Sequence, residues 1–228
     1  MWSDKQIIYN ITPFSLIDYP HVTSCILWFT GCNMRCSYCY NPEIVFGKGK
    51  ISISEALTFI KSRKGLLDGV VLSGGECTLH KEIILLAEEI KKNNFLLKID
   101  TNGSQPSRIQ ELLDRKLVDY VSLDYKALPH KFEAITKSQF YDEFNQSLKL
   151  LQNSDVEFEV RTTVHSELFS EFELIAMTKH LVALGYKGKY YLQNFVNDTP
   201  IIGNIEKRHR ELRAFPFSQN NLDVIIRI

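Results

Sequence analysis

Residues 22–39 read VTSCILWFTGCNMRCSYC. The first eight residues are rich in β-branched and aromatic side chains, and this composition predicts a strand. Gly31 then gives the backbone room to turn, and three cysteines follow with the spacing Cys-x3-Cys-x2-Cys. Ligands of α/β folds bind at the carboxyl ends of the strands. The stretch therefore predicts an α/β protein whose site lies where this strand ends.

Outward from this stretch, short apolar runs alternate with amphipathic helical patterns. A run such as Val70-Val71-Leu72 suits a parallel strand that is covered on both faces. Ser52 with Glu55, and Ser170 with Glu173, are capping-box signatures of helix starts. The predicted strands are Val22–Phe29, Gly69–Leu72, Phe95–Ile99, Tyr120–Leu123, Val156–Val164 and Lys189–Gln193. Further helices are predicted over Glu82–Lys92, Ile109–Lys116, Tyr141–Gln152 and Glu171–Leu184.

The alternation amounts to about six βα units, which right-handed crossovers wind into an open sheet or a barrel. A complete eight-unit barrel takes about 250 residues, and the chain has 228. We therefore predict an α/β fold that is a partial (β/α)6 TIM-like barrel, open on one side, in a single domain. The predicted organisation is an N-terminal segment at 1–20, a core at 21–195 and a C-terminal extension at 196–228.

The composition narrows the classes of function. The formal net charge is zero, and a nucleic-acid binder usually shows a basic excess, so no nucleic-acid partner is expected. No apolar run approaches the roughly 18 residues of a membrane span, so no membrane partner is expected either. The N-terminus lacks the pattern of a signal peptide, which predicts a cytoplasmic protein. In that compartment clustered cysteines indicate metal or redox chemistry.

Cys32, Cys36 and Cys39 allow three interpretations. Three thiolates on a tight loop can bind three irons of a cubane cluster and leave one iron open to another ligand. A structural zinc site would need a fourth ligand, for which His21 or His80 is available. The third interpretation is an accidental grouping of unrelated thiols. The spacing favours the cluster.

Three further motifs follow predicted strands. Gly74-Gly75-Glu76 combines a backbone that a ligand can approach closely with a carboxylate that can pair with an ammonium group. Residues 100–103, Asp-Thr-Asn-Gly, could also be a simple turn. Asp124 and Lys126 could be a solvated ion pair. Arg161 lies inside an apolar strand, where a cation is costly unless it meets an anion.

The cysteine spacing with Tyr38 before the last cysteine resembles the signature of the radical S-adenosylmethionine (SAM) superfamily. The resemblance implies a [4Fe–4S] cluster on the three cysteines, whose open iron chelates SAM and whose electron cleaves it to a 5′-deoxyadenosyl radical. It further implies that Glu76 contacts the amino group of SAM. The cofactor-binding residues that the resemblance implies are Tyr38, Gly74, Gly75, Glu76, Asp100, Thr101, Asn102, Asp124, Lys126 and Arg161.

Within that superfamily, Asp-Thr-Asn-Gly at 100–103 and Asp-x-Lys at 124–126 resemble glycyl-radical-enzyme activases. The opening segment, residues 11–20, resembles that of activating proteins for anaerobic ribonucleoside-triphosphate reductase. This resemblance implies abstraction of hydrogen from a glycine of that reductase. It also implies reduced flavodoxin or ferredoxin as electron donor, and a monovalent cation near Asp100 and Asp124.

Two alternatives remain open from the sequence. One is a radical SAM enzyme that acts on a small molecule, similar to 7-carboxy-7-deazaguanine synthase. The other is a non-enzymatic module that binds zinc or an iron–sulfur cluster. Among the residues outside the motifs, Cys25, Cys77, Trp2 and Trp28 are interpreted as packing residues, and His165 as structural.

Overall fold

A computed structural model describes residues 5–196, 200–205, 211–214 and 222–227. Its strands are β1 (Gln6–Ser15), β2 (Ser24–Phe29), β3 (Ile51–Ser52), β4 (Gly69–Gly74), β5 (Leu96–Thr101), β6 (Tyr120–Asp124), β7 (Glu157–Val164), β8 (Gly188–Asn194) and β9 (Leu222–Arg227). Its helices are α1 (Pro42–Phe46), α2 (Ile53–Ser62), α3 (Ile83–Lys92), α4 (Pro106–Asp114), α5 (Pro129–Thr136), α6 (Tyr141–Gln152) and α7 (Glu171–Ala183). A short 3₁₀ turn covers Cys77–Leu79.

All of these strands belong to one sheet, in the order β3-β1-β2-β4-β5-β6-β7-β8-β9. From β2 onward each neighbouring pair is parallel, whereas β1 runs antiparallel to both β2 and β3. Within the described part of the chain the two outer strands, β3 and β9, do not pair with each other. The prediction of an α/β barrel that is open on one side is confirmed.

The six predicted parallel strands are all present, and the described part of the chain has three further strands, of which β9 is parallel to its neighbour and β1 and β3 are antiparallel to theirs. β9 extends the parallel set beside β8, with Gly188 opposite Leu222 and Gln193 opposite Arg227. β1 is interrupted by two register shifts against β2, and such irregularities weaken the strict alternation by which a strand is recognised. The helices α1 and α5 also escaped prediction because they are only five and eight residues long.

Both predicted capping boxes are formed. In α2 the Ser52 hydroxyl accepts from the Glu55 backbone N–H, and the Glu55 carboxylate accepts from the Ser52 N–H. Ser170 and Glu173 make the same reciprocal pair at the start of α7. Each such cap is worth about 1 kcal/mol. No helix in the described ranges is long and apolar enough to cross a membrane.

The apolar core has two parts, which together position the site. The larger part lies between the helices and the outer face of the sheet, where strand residues such as Val70 and Leu72 are completely buried. A smaller cluster of Tyr19, Ile26 and Val71 lies inside the barrel. Farther along the same strands, towards their carboxyl ends, the side chains that face the interior become polar. The interior of the barrel is therefore polar at the carboxyl ends of the strands and apolar towards their amino ends.

Candidate active site

The carboxyl ends of the parallel strands surround a cavity of about 250 Å³. It contains every residue that the sequence analysis assigned to the site. These residues are Cys32, Cys36, Tyr38, Cys39, Gly74, Gly75, Glu76, Asp100, Thr101, Asn102, Asp124, Lys126 and Arg161. They come from five different strand ends, which parallel pairing brings to one edge of the sheet.

The backbone of the cysteine loop is held by α5. The Arg35 N–H donates to the carbonyl of Thr136 at 2.7 Å, and the Ser37 N–H donates to the carbonyl of Ile135 at 3.1 Å. These carbonyls belong to the last turn of the helix, where no intrahelical donor is available to them. The Arg35 guanidinium also donates to the carbonyl of Cys32 at 2.6 Å. The loop conformation is therefore set by tertiary contacts as well as by its own sequence.

The paired glycines pack against the cysteine strand. A Cβ atom on Gly75 would lie 1.9 Å from the carbonyl oxygen of Gly31, and one on Gly74 would lie 2.3 Å from that of Phe29. The N–H of Glu76 donates to the Gly31 carbonyl at 2.8 Å. The two glycines are thus required by the close approach of this segment to the cysteine loop, in addition to any access they give a ligand.

Glu76 is 1% exposed and is surrounded by neutral donors. Its carboxylate accepts from the Thr78 N–H and hydroxyl at 3.1 and 2.5 Å, from the Thr101 hydroxyl at 2.9 Å and from the Asn102 N–H at 2.7 Å. Burial raises the pKa of Glu76 even though these donors oppose the shift. Within the described residues no lysine or arginine pairs with it, so its charge is unmatched.

Ion pairs occupy the neighbouring strand ends. Arg161 Nε lies 2.5 Å from Asp124 Oδ1, Arg161 Nη2 lies 3.2 Å from Asp100 Oδ2, and Lys126 Nζ lies 2.9 Å from Asp124 Oδ2. Lys98 pairs with Asp100. Burial alone would raise the pKa of Asp124, but the charges of Arg161 and Lys126 outweigh it and lower the pKa to about 2. These carboxylates are therefore ionised and already neutralised.

The sequence profile of the Radical SAM superfamily matches residues 26–176, which include the cysteine loop and every motif above. The chain belongs to the radical SAM superfamily. Enzymes of this superfamily use a [4Fe–4S] cluster and SAM, and the chain is a radical SAM enzyme.

Two relatives are activating enzymes by name. A protein of Methanocaldococcus jannaschii, provisionally named a glycyl-radical enzyme activating enzyme, is 34% identical over 182 residues, which cover 77% of this chain and 75% of the relative. The pyruvate formate-lyase-activating enzyme of Clostridium pasteurianum is 28% identical with the same coverage of both chains. The 7-carboxy-7-deazaguanine synthase of Aquifex aeolicus is 32% identical over 75 residues, about a third of each chain.

Solved structures share the fold at low sequence identity. SuiB of Streptococcus suis bound to S-adenosylmethionine superposes with a TM-score of 0.67 and 14% identity, covering 89% of this chain and 51% of SuiB. The radical SAM chain thus spans about half the length of that structure. QueE from Escherichia coli superposes with a TM-score of 0.54 and 16% identity, covering 83% of this chain and 84% of QueE.

The residues of the cavity suit the cofactors of a radical SAM enzyme. Burial raises the pKa of Cys32 to about 12 and that of Cys36 to about 11, so these thiols need a metal cation to hold them as thiolates. Among the described side chains, no three His, Cys, Asp or Glu converge on a single metal ion. A cubane does not require such convergence, because each thiolate binds a different iron. The buried Tyr38 hydroxyl finds no partner in the described part of the chain, which leaves it available to a bound molecule.

Some lining residues were not identified from the sequence. Trp28 packs against the cluster of Tyr19, Ile26 and Val71, as interpreted, and it also lines the radical SAM cavity, where its Nε1–H donates to the Thr12 hydroxyl at 2.9 Å. The inward position of Trp28 could have been predicted from the sequence, since Trp28 lies two residues after the inward-facing Ile26 and strand side chains alternate with period two. The other lining residues outside the motifs are Asp18, Met34, Tyr40, Asn41, Val45, Ser73, Thr163 and Gln193.

The remaining singled-out residues lie outside the cavity. Cys25 and Cys77 are completely buried, as predicted for packing residues, and the Cys77 thiol lies 3.5 Å from the carbonyls of Leu72 and Asp100. His165 is also buried, with its ring against Phe195. Neither candidate fourth zinc ligand, His21 or His80, lines the cavity. Trp2 lies outside the described residues.

Proposed function

We propose that the chain activates a glycyl radical enzyme, and that this partner is anaerobic ribonucleoside-triphosphate reductase. The bound cluster and SAM supply the chemistry, which is reductive cleavage of SAM and abstraction of a hydrogen atom from a glycine of the partner. The chain's own residues bind the cofactors, orient them and exclude water. Reduced flavodoxin or ferredoxin is the proposed electron donor.

The observation that carries the proposal is the single cavity that joins the three thiols to Glu76 and to the ion-paired strand ends. We assign Cys32, Cys36 and Cys39 to the cluster because all three thiols line this cavity and their Cys-x3-Cys-x2-Cys spacing lets each bind a different iron. The alignments to activating enzymes, which cover about three quarters of both chains, favour the activase.

The charges of the cavity suit the amino-acid end of SAM, which carries an ammonium and a carboxylate group. Glu76 offers an unmatched negative charge on one side. On the other side three cations, Lys98, Lys126 and Arg161, face two carboxylates, Asp100 and Asp124, so that one positive charge is left over. We propose that Glu76 receives the ammonium group, and that Lys126 and Arg161 face the carboxylate.

The glycine of the partner enzyme must reach this cavity. The barrel does not close between its outer strands in the described part of the chain, and an open side would admit an extended loop of another protein. The choice of reductase depends on the opening segment at 11–20. This segment forms the second half of β1, residues 11–15, and the start of the turn that leads to β2.

The test is anaerobic reconstitution with iron and sulfide, followed by incubation with SAM and dithionite. We expect 5′-deoxyadenosine from the wild type and none from Cys36→Ala, with Cys25→Ala as a matched control because Cys25 is buried outside the cavity. Adding the reductase should yield a glycyl doublet by electron paramagnetic resonance. A doublet with pyruvate formate-lyase instead would retain the activase and reject the proposed partner.

A second candidate is supported by the shorter matches to 7-carboxy-7-deazaguanine synthases. Such an enzyme would act on a small molecule and would need no protein partner. The same reconstituted protein separates the two candidates when it is incubated with the substrate from which such a synthase forms 7-carboxy-7-deazaguanine. Conversion of that substrate without formation of a glycyl radical on the reductase would replace the activase proposal.

A further inference from the structure

Residues 200–205, which we call the strap, lie directly against the cysteine loop. The Ile202 N–H donates to the carbonyl of Cys39 at 3.0 Å, and the Gly203 N–H donates to the carbonyl of Ser37 at 2.9 Å. Ile201 and Ile205 are partly buried against the main apolar core, which anchors the strap on both sides of these hydrogen bonds. A segment distant in sequence thus joins its backbone to the middle of the loop.

Gly203 is required by this contact. A Cβ atom built on it would lie 2.7 Å from the Cα, Cβ and carbonyl oxygen atoms of Ser37, closer than non-bonded atoms approach. Gly203 has no positive φ angle, so an alanine could adopt its backbone conformation. The need for glycine is therefore steric, and the three atoms nearest to such a Cβ all belong to Ser37.

The strap completes a clamp whose other side is α5. Ser37 donates its N–H to the carbonyl of Ile135 in α5 and accepts from the Gly203 N–H in the strap. Cys39 likewise donates within its own loop, to the carbonyl of Cys36 at 3.0 Å, and accepts from Ile202. Both polar backbone groups of these two loop residues are satisfied, which restrains the loop from each side.

We propose that the strap positions the cysteine loop, with Gly203 as the positioning residue that allows the close approach. The inference rests on the proposed assignment of the cluster to Cys32, Cys36 and Cys39. Ligands held in place from two sides bind a metal more tightly than ligands on a free loop. The strap would therefore slow the loss of iron.

The test compares Gly203→Ala and Gly203→Val with the wild type, each reconstituted anaerobically. The matched control is Asn204→Ala, since Asn204 is the exposed neighbour in the strap. Two readouts are measured: the rate at which an iron chelator bleaches the cluster, and amide hydrogen exchange of the peptide spanning residues 33–40. Loss of both strap hydrogen bonds should raise both rates roughly tenfold in Gly203→Val. Gly203→Ala should show a smaller increase, and Asn204→Ala none.

Exchange in β4, β5 and β6 should stay at the wild-type level, which separates a local release of the loop from unfolding of the whole chain. Wild-type bleaching and exchange rates in both Gly203 variants would overturn the inference. If Gly203→Val fails to fold, Gly203→Ala decides the question by the same two rates. Cys36→Ala separates the two proposals, because a cluster retained in that variant refutes the ligand assignment itself.

Discussion

Glu76 and Asp124 are two carboxylates of one cavity, and their surroundings differ. Glu76 is held by the neutral donors of Thr78, Thr101 and Asn102, and its pKa is raised by burial. Burial also acts to raise the pKa of Asp124, but the charges of Arg161 and Lys126 outweigh it and lower that pKa to about 2. The side of the cavity formed by Glu76, which we call the neutral wall, thus holds an unmatched negative charge. The side formed by Asp100 and Asp124, which we call the ion-paired wall, has carboxylates that cations of the chain already neutralise.

The difference indicates that contributions to stability and to ligand binding are divided between the two walls. Removing one member of a buried ion pair leaves its partner uncompensated, so the ion-paired wall should contribute mainly to stability. Removing the charge of Glu76 leaves no cation behind, so the neutral wall should contribute mainly to binding. Variants that remove single charges test that division.

Arg161→Met should have the largest effect, because Arg161 contacts both Asp100 and Asp124. We expect the free energy of unfolding of the protein without its cluster to fall by about 3 kcal/mol, as for other broken buried pairs. Denaturant unfolding measures this change. The control is Arg213→Met, whose side chain is 89% exposed and which should change stability by less than about 0.5 kcal/mol. Equal losses in the two variants would contradict the division.

Arg227→Met tests a second ion pair deeper in the barrel. Arg227 donates to both carboxylate oxygens of Glu159, at 3.0 and 3.1 Å, and Glu159 is 1% exposed. We expect a loss of about 2 kcal/mol, since Tyr120 and Ser122 still donate to the carboxylate. Arg227→Lys should lose less because it keeps the charge without the two-point contact. If both variants had the wild-type free energy of unfolding, the pair of Arg227 and Glu159 would make no contribution to stability.

Glu76→Gln should act on binding. Loss of the unmatched charge should weaken SAM binding to the reconstituted protein roughly tenfold, which is the worth of a charge-assisted hydrogen bond. Anaerobic titration calorimetry measures the affinity. The stability lost should be smaller than in Arg161→Met. An unchanged affinity for SAM would remove Glu76 from the proposed binding site.

The pH dependence of stability should separate the two walls in sign. Because the pKa of Glu76 is raised in the folded state, its contribution to stability is fully present below the unfolded value of 4.5 and is lost as pH rises through the folded pKa. The difference in unfolding free energy between the wild type and Glu76→Gln, without cluster, should therefore fall as the pH rises above 4.5. For Asp124 the contribution is present above 3.8 and lost as pH falls towards 2. A difference that grew with pH for Glu76 would show that its surroundings favour the ionised form.

Much of the fold and the site was predictable because the signals are local. The cysteine spacing lies within eight residues, and apolar runs such as Val70-Val71-Leu72 mark buried parallel strands. Parallel strands end at one edge, so motifs that follow strands meet there. The cavity-lining position of Trp28 was missed because an aromatic residue in a strand fits packing and cavity lining equally well, and only its register on the inner face shows that it does both.

Local sequence patterns are sufficient to predict the open α/β barrel and the motifs at the carboxyl ends of its strands, because hydrophobic period, capping residues and cysteine spacing are properties of neighbouring residues. Three features become visible only in the folded chain: which charges are matched, the pairing of β9 with β8, and the contact of Gly203 with Ser37. Those features depend on burial and on contacts between residues far apart in the chain. Such contacts impose no period on the sequence, and a single glycine or carboxylate looks the same whether or not it has a distant partner.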